Sequence, residues 1–321
     1  MSIRTRFAPS PTGLLHVGNA RAALFCFLFA KKHDGQFVLR LDDTDRERST
    51  QAFADAIQAD LDWLGLKWDE TARQSDRFER YDAVFETLVA QGHVYACYET
   101  PEELERKRKR QLARGKPPVY DRAGLALSAD EKAALEAEGR SAHWRFKLSG
   151  NQVVWRDFVR GEQKIDTASV SDPVIRRADG SWLYTLPSVV DDLDMNISHV
   201  IRGEDHVTNT AAQVELIAAL GGEVPEFAHF SLMLGADGSG LSKRFGSLAL
   251  ADLRDSGLEP ISLNAHIARL GTADPVVPAQ TMQEIIDGFD MARLGRAPLA
   301  ALALAFARGA LARRSRLPRP A

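Results

Sequence analysis

Cysteine is nearly absent: Cys26 and Cys97 are the only two in 321 residues. Two thiols build neither a disulfide framework nor a four-cysteine zinc site, and their scarcity points to a reducing, cytoplasmic setting. Long apolar stretches are also missing. The longest, around Ala22 to Ala30, is much too short to span a bilayer and ends in Lys31-Lys32. The chain opens directly on Ile3-Arg-Thr-Arg-Phe7, without the apolar segment and small-residue cleavage site of a signal peptide. The expectation is a soluble protein with no membrane partner. An excess of one charge is missing too. The net charge of −3 creates no general field for nucleic acid, so RNA contact requires local basic patches.

What is present suits a folded chain. Hydrophobic residues make up 45% and charged residues 26%, enough for a sizeable core. Ile3 to Phe7 reads as a buried strand. Pro9, Pro11 and Gly13 force an irregular turn, and Asn19 is positioned to cap a helix over Ala20 to Lys32. Phe37 to Leu41 reads as a second strand, so the opening is a βαβ unit. Two amphipathic helices follow, with Phe53, Ile57, Leu61 and Leu64 on one face and Phe78, Tyr81, Phe85 and Leu88 on the other. From Cys97 the texture changes to charged helices and short strands at His143–Leu148 and Val153–Val159, as in an insertion. Parallel-sheet texture returns with Leu183–Val190 and His199–Arg202, then a helix over Thr208–Leu220. Beyond Ala249 the pattern is helical to the end. The boundaries predicted are 1–95 and 183–248 for the halves of an α/β domain, 96–182 for the insertion and 249–321 for a helical domain with a basic tail. After Asp290 no acidic residue occurs. Two readings of that tail stay open: a basic terminus, or a reading frame cut or shifted.

Two loops carry chemistry. In Ala8-Pro-Ser-Pro-Thr-Gly13-Leu-Leu-His16-Val-Gly18-Asn19, a strand is followed by a turn and a helix start. His16 offers an imidazole donor, Gly18 a close backbone approach, and the helix N-terminus a partial positive charge, as a triphosphate requires. The second loop is Gly240-Leu-Ser-Lys243-Arg244, where Lys243 supplies a point charge for a leaving pyrophosphate. Alone, S-K-R is usually a solvated turn; paired with the first loop it gains specificity. His16 and Lys243 are therefore the expected catalytic residues, acting by charge stabilisation.

With these motifs stand Arg40-Leu-Asp-Asp-Thr-Asp-Arg46, Tyr98-Glu-Thr-Pro-Glu-Glu-Leu104, Val189-Val-Asp-Asp192 and His199-Val-Ile-Arg-Gly-Glu-Asp205. In this order, over residues 1 to about 296, the sequence resembles the bacterial glutamyl-tRNA synthetases of aminoacyl-tRNA synthetase class I. The resemblance implies a Rossmann-like parallel sheet interrupted by an α+β insertion and followed by a helical domain. It implies ATP contacts for Pro9, Thr12, Gly13, His16, Gly18, Asn19, Asp205, Leu241, Ser242, Lys243 and Arg244. It implies glutamate contacts for Arg6, Ala8, Ser10, Asp42, Tyr184, Ser188 and Arg202. ATP with Mg²⁺, L-glutamate and the acceptor end of tRNA(Glu) are the implied ligands, and the chain is expected to act as a monomer. The basic run Arg106-Lys-Arg-Lys-Arg110 lies in the insertion, which in the family holds the tRNA end; a solvated helix face is the plainer reading.

The sequence departs from the family in four places. Asp42 stands where Glu is common, Gly240 replaces a Lys, and Phe245 replaces a His. Some relatives carry zinc in the insertion; here Cys97 has only Glu99, Tyr120 and Asp121 at comparable places, so no zinc is expected. The chain also stops before the family's anticodon-binding region. The alternatives are a glutamyl-queuosine tRNA(Asp) synthetase, a non-catalytic tRNA-binding remnant, and a small-metabolite nucleotidyltransferase, the last weakened by Arg202 and the insertion.

Overall fold

The computed structural model describes residues 2–234, 249–297 and 299–300. The first half runs β1 (Arg4–Phe7), α1 (Val17–Lys32), β2 (Gln36–Leu41), α2 (Gln51–Trp63), β3 (Glu70–Arg73) and α3 (Phe78–Ala90). The middle holds β4 (Val94–Cys97), α4 (Pro101–Ala113), α5 (Ala123–Ala126), α6 (Ala129–Ala137), β5 (His143–Phe146), β6 (Gln152–Asp157), β7 (Gly161–Asp166) and β8 (Val174–Arg176). Then come α7 (Thr185–Asp194), β9 (His199–Gly203), α8 (Val207–Ala219), β10 (Glu226–Phe230), β11 (Met233–Leu234), α9 (Leu250–Asp255), α10 (Pro260–Arg269), α11 (Met282–Gly288) and β12 (Leu299–Ala300).

The main sheet is ordered β3-β2-β1-β9-β10-β6-β7. Every pairing in it is parallel except the β6–β7 hairpin. β2 is buried along Phe37–Leu41, as a strand covered on both faces must be. On one face lies α1, which is apolar nearly all round because it is sandwiched. Its Phe25 meets Phe230 of β10 edge-on at 5.1 Å and Phe289, beyond α11, at 5.3 Å. One core therefore joins α1, α2, α10 and α11. α7 and α8 contribute to a separate cluster with α3.

Three expectations change. Leu183–Val190 is not a strand; α7 covers most of it. Leu186, Val189, Val190 and Leu193 recur at i, i+3, i+4 and i+7, a helical period that the β-branched pair disguises. Val153–Val159 does form a strand, β6, but it joins the main sheet beside β10 through Phe227 instead of staying with the β4-β5-β8 sheet. Past Ala249, α9 to α11 are helical, yet β12 pairs parallel with β11. The tail over 301–321 lies outside the described residues.

The helical segment is tied to the first half by a buried polar contact. Asn264 of α10, 1% exposed, donates from Nδ2 to the Leu64 carbonyl at 2.7 Å. Asn264→Ala strands that carbonyl in the core and costs about 1–3 kcal/mol, read from urea unfolding at unchanged m. A loss below about 0.5 kcal/mol would show that the contact does not secure the segment.

Candidate active site

In open α/β sheets, ligands bind beyond the carboxyl ends of strands at the point where strand order reverses. Here β1 leads outward to β2 and β9 outward to β10, so that point lies between β1 and β9. A cleft of about 680 Å³ opens there. Its walls include Arg6, Ala8, Pro9, Ser10, Thr12, Gly13, His16, Gly18, Asn19, Tyr184, Arg202 and Asp205, all predicted from the sequence. A larger groove of about 1220 Å³ runs past Arg4, Asn196, His199 and Glu226, toward the amino ends of the strands. It holds none of the residues expected to touch ATP or glutamate, so the smaller cleft is the candidate site.

The first loop is fixed from its backbone. Pro9 and Pro11 carbonyls accept from the Asp42 and Thr50 amides at 2.9 and 3.1 Å. The cap of α1 is His16, not Asn19. His16 has extended backbone, and its Nδ1 accepts from the Gly18 and Asn19 amides at 3.1 and 3.3 Å. Asn19 returns the contact, its Oδ1 accepting the His16 amide at 3.0 Å. Histidine is an uncommon cap, which is why asparagine attracted the assignment. An Nδ1 that accepts two amides carries no proton, so this network assigns the neutral Nε2–H tautomer. Burial lowers the His16 pKa, in agreement. A Cβ at 18 would sit 3.0 Å from the imidazole, so any other residue there would press the ring by a few tenths of an ångström. His16 thus presents an N–H beside a helix N-terminus.

Leu241, Ser242, Lys243 and Arg244 lie outside the described residues. Their flanks do not. Met233 is on the cleft wall, and Ala249 bridges His16 while the Leu250 amide donates to the Leu15 carbonyl at 2.9 Å. The described flanks of that segment thus lie at the cleft wall, through Met233, and beside the first motif, through Ala249 and Leu250.

Behind the cleft lies a buried ionic network. Arg6 Nε meets Asp192 Oδ1 at 3.0 Å. Arg40, 0% exposed, donates from Nη1 to that same oxygen at 2.6 Å and from Nε to Asp42 Oδ1 at 2.7 Å. Asp191 is held by Tyr81, Gln74 and Arg77. Burial resists Arg40's charge, but Asp42 and Asp192 outweigh it and raise its pKa. Burial pushes Asp42, which has only Arg40 as an ion-pair partner, up to about 6. Asp42 and Ser188 are not among the cleft-wall residues: Asp42 faces Arg40, and Ser188 Oγ is buried without a partner.

Arg202 differs. It is 7% exposed, and its hydrogen-bond partners are all neutral. Nε donates to His229 Nε2 at 3.1 Å, Nη1 to Tyr184 Oη at 2.9 Å, and Nη2 to Thr210 Oγ1 at 2.8 Å and Gln213 Oε1 at 2.7 Å. Of five guanidinium N–H groups, one on Nη1 stays free beside Tyr184. Burial, with Arg6 nearby, holds its pKa below the ordinary arginine value. A desolvated cation without a bonded carboxylate is a ready receptor for an anion.

Sequence reasoning missed His229, Asp157, Thr210 and Gln213 in any site role. The lone polar residue inside the apolar strand Phe227-Ala-His-Phe230 was a usable signal; Asp157 offered none locally. Arg21 was also missed. It lines the cleft, donates to the Ser231 and Leu270 carbonyls at 2.5 and 3.3 Å, and is brought down to about 10 by burial.

In the middle section, Cys97, Glu99 and His143 bring ligand atoms within 4.8 Å of one another. They do not fit a closed zinc site. Lys107 Nζ lies 3.0 Å from Glu99, and Tyr120 Oη lies 3.0 Å from Glu99 and 3.4 Å from Cys97 Sγ. Burial pushes the Cys97 thiol up to about 11, and a Cβ at Gly124 would stand 2.9 Å from the sulfur. An ammonium and a phenol already occupy Glu99 and Cys97, while His143 Nε2 is buried without a partner among the described residues; three ligands are one short of a closed four-coordinate site.

The family model for class I tRNA synthetases (E and Q), catalytic domain, matches residues 2–301. Similar curated proteins include Glutamate–tRNA ligase 1 of Maricaulis maris (strain MCS10), 60% identical over 92% of this chain and 66% of that one. Glutamate–tRNA ligase 2 of Jannaschia sp. (strain CCS1) is 58% identical with the same coverage. The chain thus spans just under two thirds of these relatives' length. Among solved structures, a glutamate tRNA ligase from Elizabethkingia meningosepticum CCUG26117, in complex with its amino acid, superposes with TM-score 0.83 at 30% identity. That match covers 97% of this chain and 70% of the other.

The two arginine environments make opposite demands on stability. Arg40→Met leaves two buried carboxylates without their shared cation and costs about 3–5 kcal/mol. Arg202→Met removes a cation bonded to neutral groups and costs about 1–3 kcal/mol. Urea unfolding of both variants checks the order, and equal losses would contradict the charge accounting.

Proposed function

The chain belongs to the class I tRNA synthetases of the E and Q type, matched over their catalytic domain, and from that premise we propose that it activates L-glutamate with ATP and transfers it to the 3′ end of tRNA(Glu). The observation that carries the substrate assignment is Arg202: buried, charged and bonded only to neutral partners in the switch-point cleft. Glutamate brings a second carboxylate to such a site. Glutamine brings an amide that cannot neutralise it. Arg6 and Tyr184 share the pocket, and Asp42 and Ser188 shape it from behind. The relatives' name supports this reading over a glutamyl-queuosine enzyme.

The glutamate α-carboxylate attacks the α-phosphorus of ATP in line, and pyrophosphate leaves. Mg²⁺ brought in on the nucleotide's phosphates would offset charge on the departing pyrophosphate. His16 donates from Nε2 as that charge grows, assisted by the amino end of α1. Pro9, Thr12, Gly13, Gly18 and Asn19 shape the floor, Asp205 serves the adenosine side, and Lys243 supplies a positive charge for the leaving pyrophosphate. A terminal ribose hydroxyl of tRNA then attacks the mixed anhydride and AMP leaves. No side chain forms a covalent intermediate. Arg106 and Arg110 of α4, with Arg140, line a groove of about 410 Å³ suited to RNA phosphates.

Pyrophosphate exchange tests this with glutamate, glutamine and aspartate, with and without tRNA(Glu). Exchange is expected with glutamate alone among the three, and only when tRNA is present. Arg202→Leu raises the glutamate KM about 100-fold or more with the ATP KM nearly unchanged, whereas His16→Ala lowers kcat about 10²–10³-fold. Equal exchange without tRNA points to the queuosine reading, and no exchange at all sinks the proposal.

A further inference from the structure

Arg202 is held by a relay that begins in the middle section of the chain. Asp157 is the last residue of β6 and 2% exposed. Its Oδ1 accepts the amides of Val159 at 3.0 Å, Arg160 at 2.9 Å and His229 at 3.2 Å. Its Oδ2 meets His229 Nδ1 at 2.5 Å. A carboxylate receiving three amides is an acceptor with no proton to give, so Nδ1 of His229 is the donor. The imidazole, 0% exposed, must then leave Nε2 as an acceptor, and Arg202 Nε donates to it at 3.1 Å. Thr210 Oγ1, 3.0 Å from the same Nε2, also takes Arg202 Nη2.

We propose that Asp157 and His229 are positioning residues for substrate recognition: the carboxylate fixes the imidazole tautomer, and the imidazole orients the guanidinium that takes the glutamate carboxylate. Two consequences follow from the chemistry. The relay places a negative charge one ring away from Arg202, adding to the field of Asp192, while leaving its directly bonded partners neutral and its anion affinity high. It also makes glutamate recognition depend on β6, so the β6–β7 hairpin, set between β5 and β8, is part of the substrate site. Reversing the tautomer would set an Nε2–H against the Arg202 Nε–H, two donors facing each other, and turn the guanidinium away. The same logic governs the buried carboxylate behind a catalytic histidine, where amide replacement of the acid inverts the tautomer.

This rests on Arg202 as the glutamate ligand, and the experiment separates the two claims. In the full chain with ¹⁵N-labelled histidine, the His229 signals, assigned by their loss in His229→Leu, are expected to show a protonated Nδ1 and an unprotonated Nε2. Asp157→Asn is expected to reverse them and to raise the glutamate KM in pyrophosphate exchange about 10–100-fold, leaving the ATP KM within about threefold. His229→Leu gives the same KM split if Asp157→Asn does not fold. An Nε2–H tautomer in the unaltered chain overturns the relay without any variant. An unchanged glutamate KM in Asp157→Asn or His229→Leu also overturns it, provided Arg202→Leu raises that KM. If Arg202→Leu has no effect either, the substrate reading fails first.

Discussion

Charge balance in a dry interior constrains this site more than any single contact. Arg6, Arg40 and Arg202 are all below one-tenth exposed, and ions so placed need partners or must neutralise. Two are matched by Asp42 and Asp192, with Asp192 bridging Arg6 of β1 to Arg40 of β2 from the end of α7. That bridge spans both halves of the chain: residues 186 apart in sequence meet at one carboxylate. The third, Arg202, has no carboxylate bonded to it among the described residues; Asp192 acts on it through space and Asp157 stands across an imidazole. The first pair secures the strand ends, and the third guanidinium is left for an anion.

The first loop uses its atoms twice in the same way. His16 Nδ1 ends the helix by accepting two amides, which any good cap would do. Because it is histidine, the cap also fixes which nitrogen bears the proton and leaves an Nε2–H donor. An asparagine cap would have satisfied the helix without supplying that N–H. Gly18 belongs to the same device, since a side chain would press the ring. The local requirement of the helix and the chemical requirement of a phosphate site are met by one rotamer.

The opening βαβ unit, its loop and the residues around it were legible because their signals are local: alternation, punctuating prolines, a helical apolar face. Twelve of the predicted ligand residues line one cleft; most were assigned by the resemblance that these motifs carry, and Tyr184, Arg202 and Asp205 lie far from the opening unit in sequence. The errors arose where local and tertiary signals compete. Leu183–Val190 carries β-branched residues that suggest a strand, while the period of its apolar positions is helical. Val153–Val159 alternates correctly, but which sheet it joins depends on Phe227, far along the chain. Asp42 was placed by resemblance near the ammonium; its neighbour two residues back claims both carboxylate oxygens. His229 and Asp157 become a unit only when β10 and β6 lie side by side, and no spacing rule anticipates that.

That adjacency bears on how the molecule divides. The three-stranded β4-β5-β8 sheet has its own pairing and packs against α7 and α8 in one core cluster. The β6–β7 hairpin belongs to the main sheet instead. β6 completes the parallel sheet beyond β10, and its last residue orders both the turn that follows it and the His229 ring. Arg160, in that same turn, reaches Glu204, whose other oxygen takes the Leu232 amide beside the cleft. The hairpin therefore reaches the cleft rim at two points, through Arg202 and through Glu204. A displacement of β6 along its strand axis would change His229 and the Leu232 backbone together. The hairpin that matters for chemistry thus lies between β5 and β8, inside a stretch whose composition reads as one insertion.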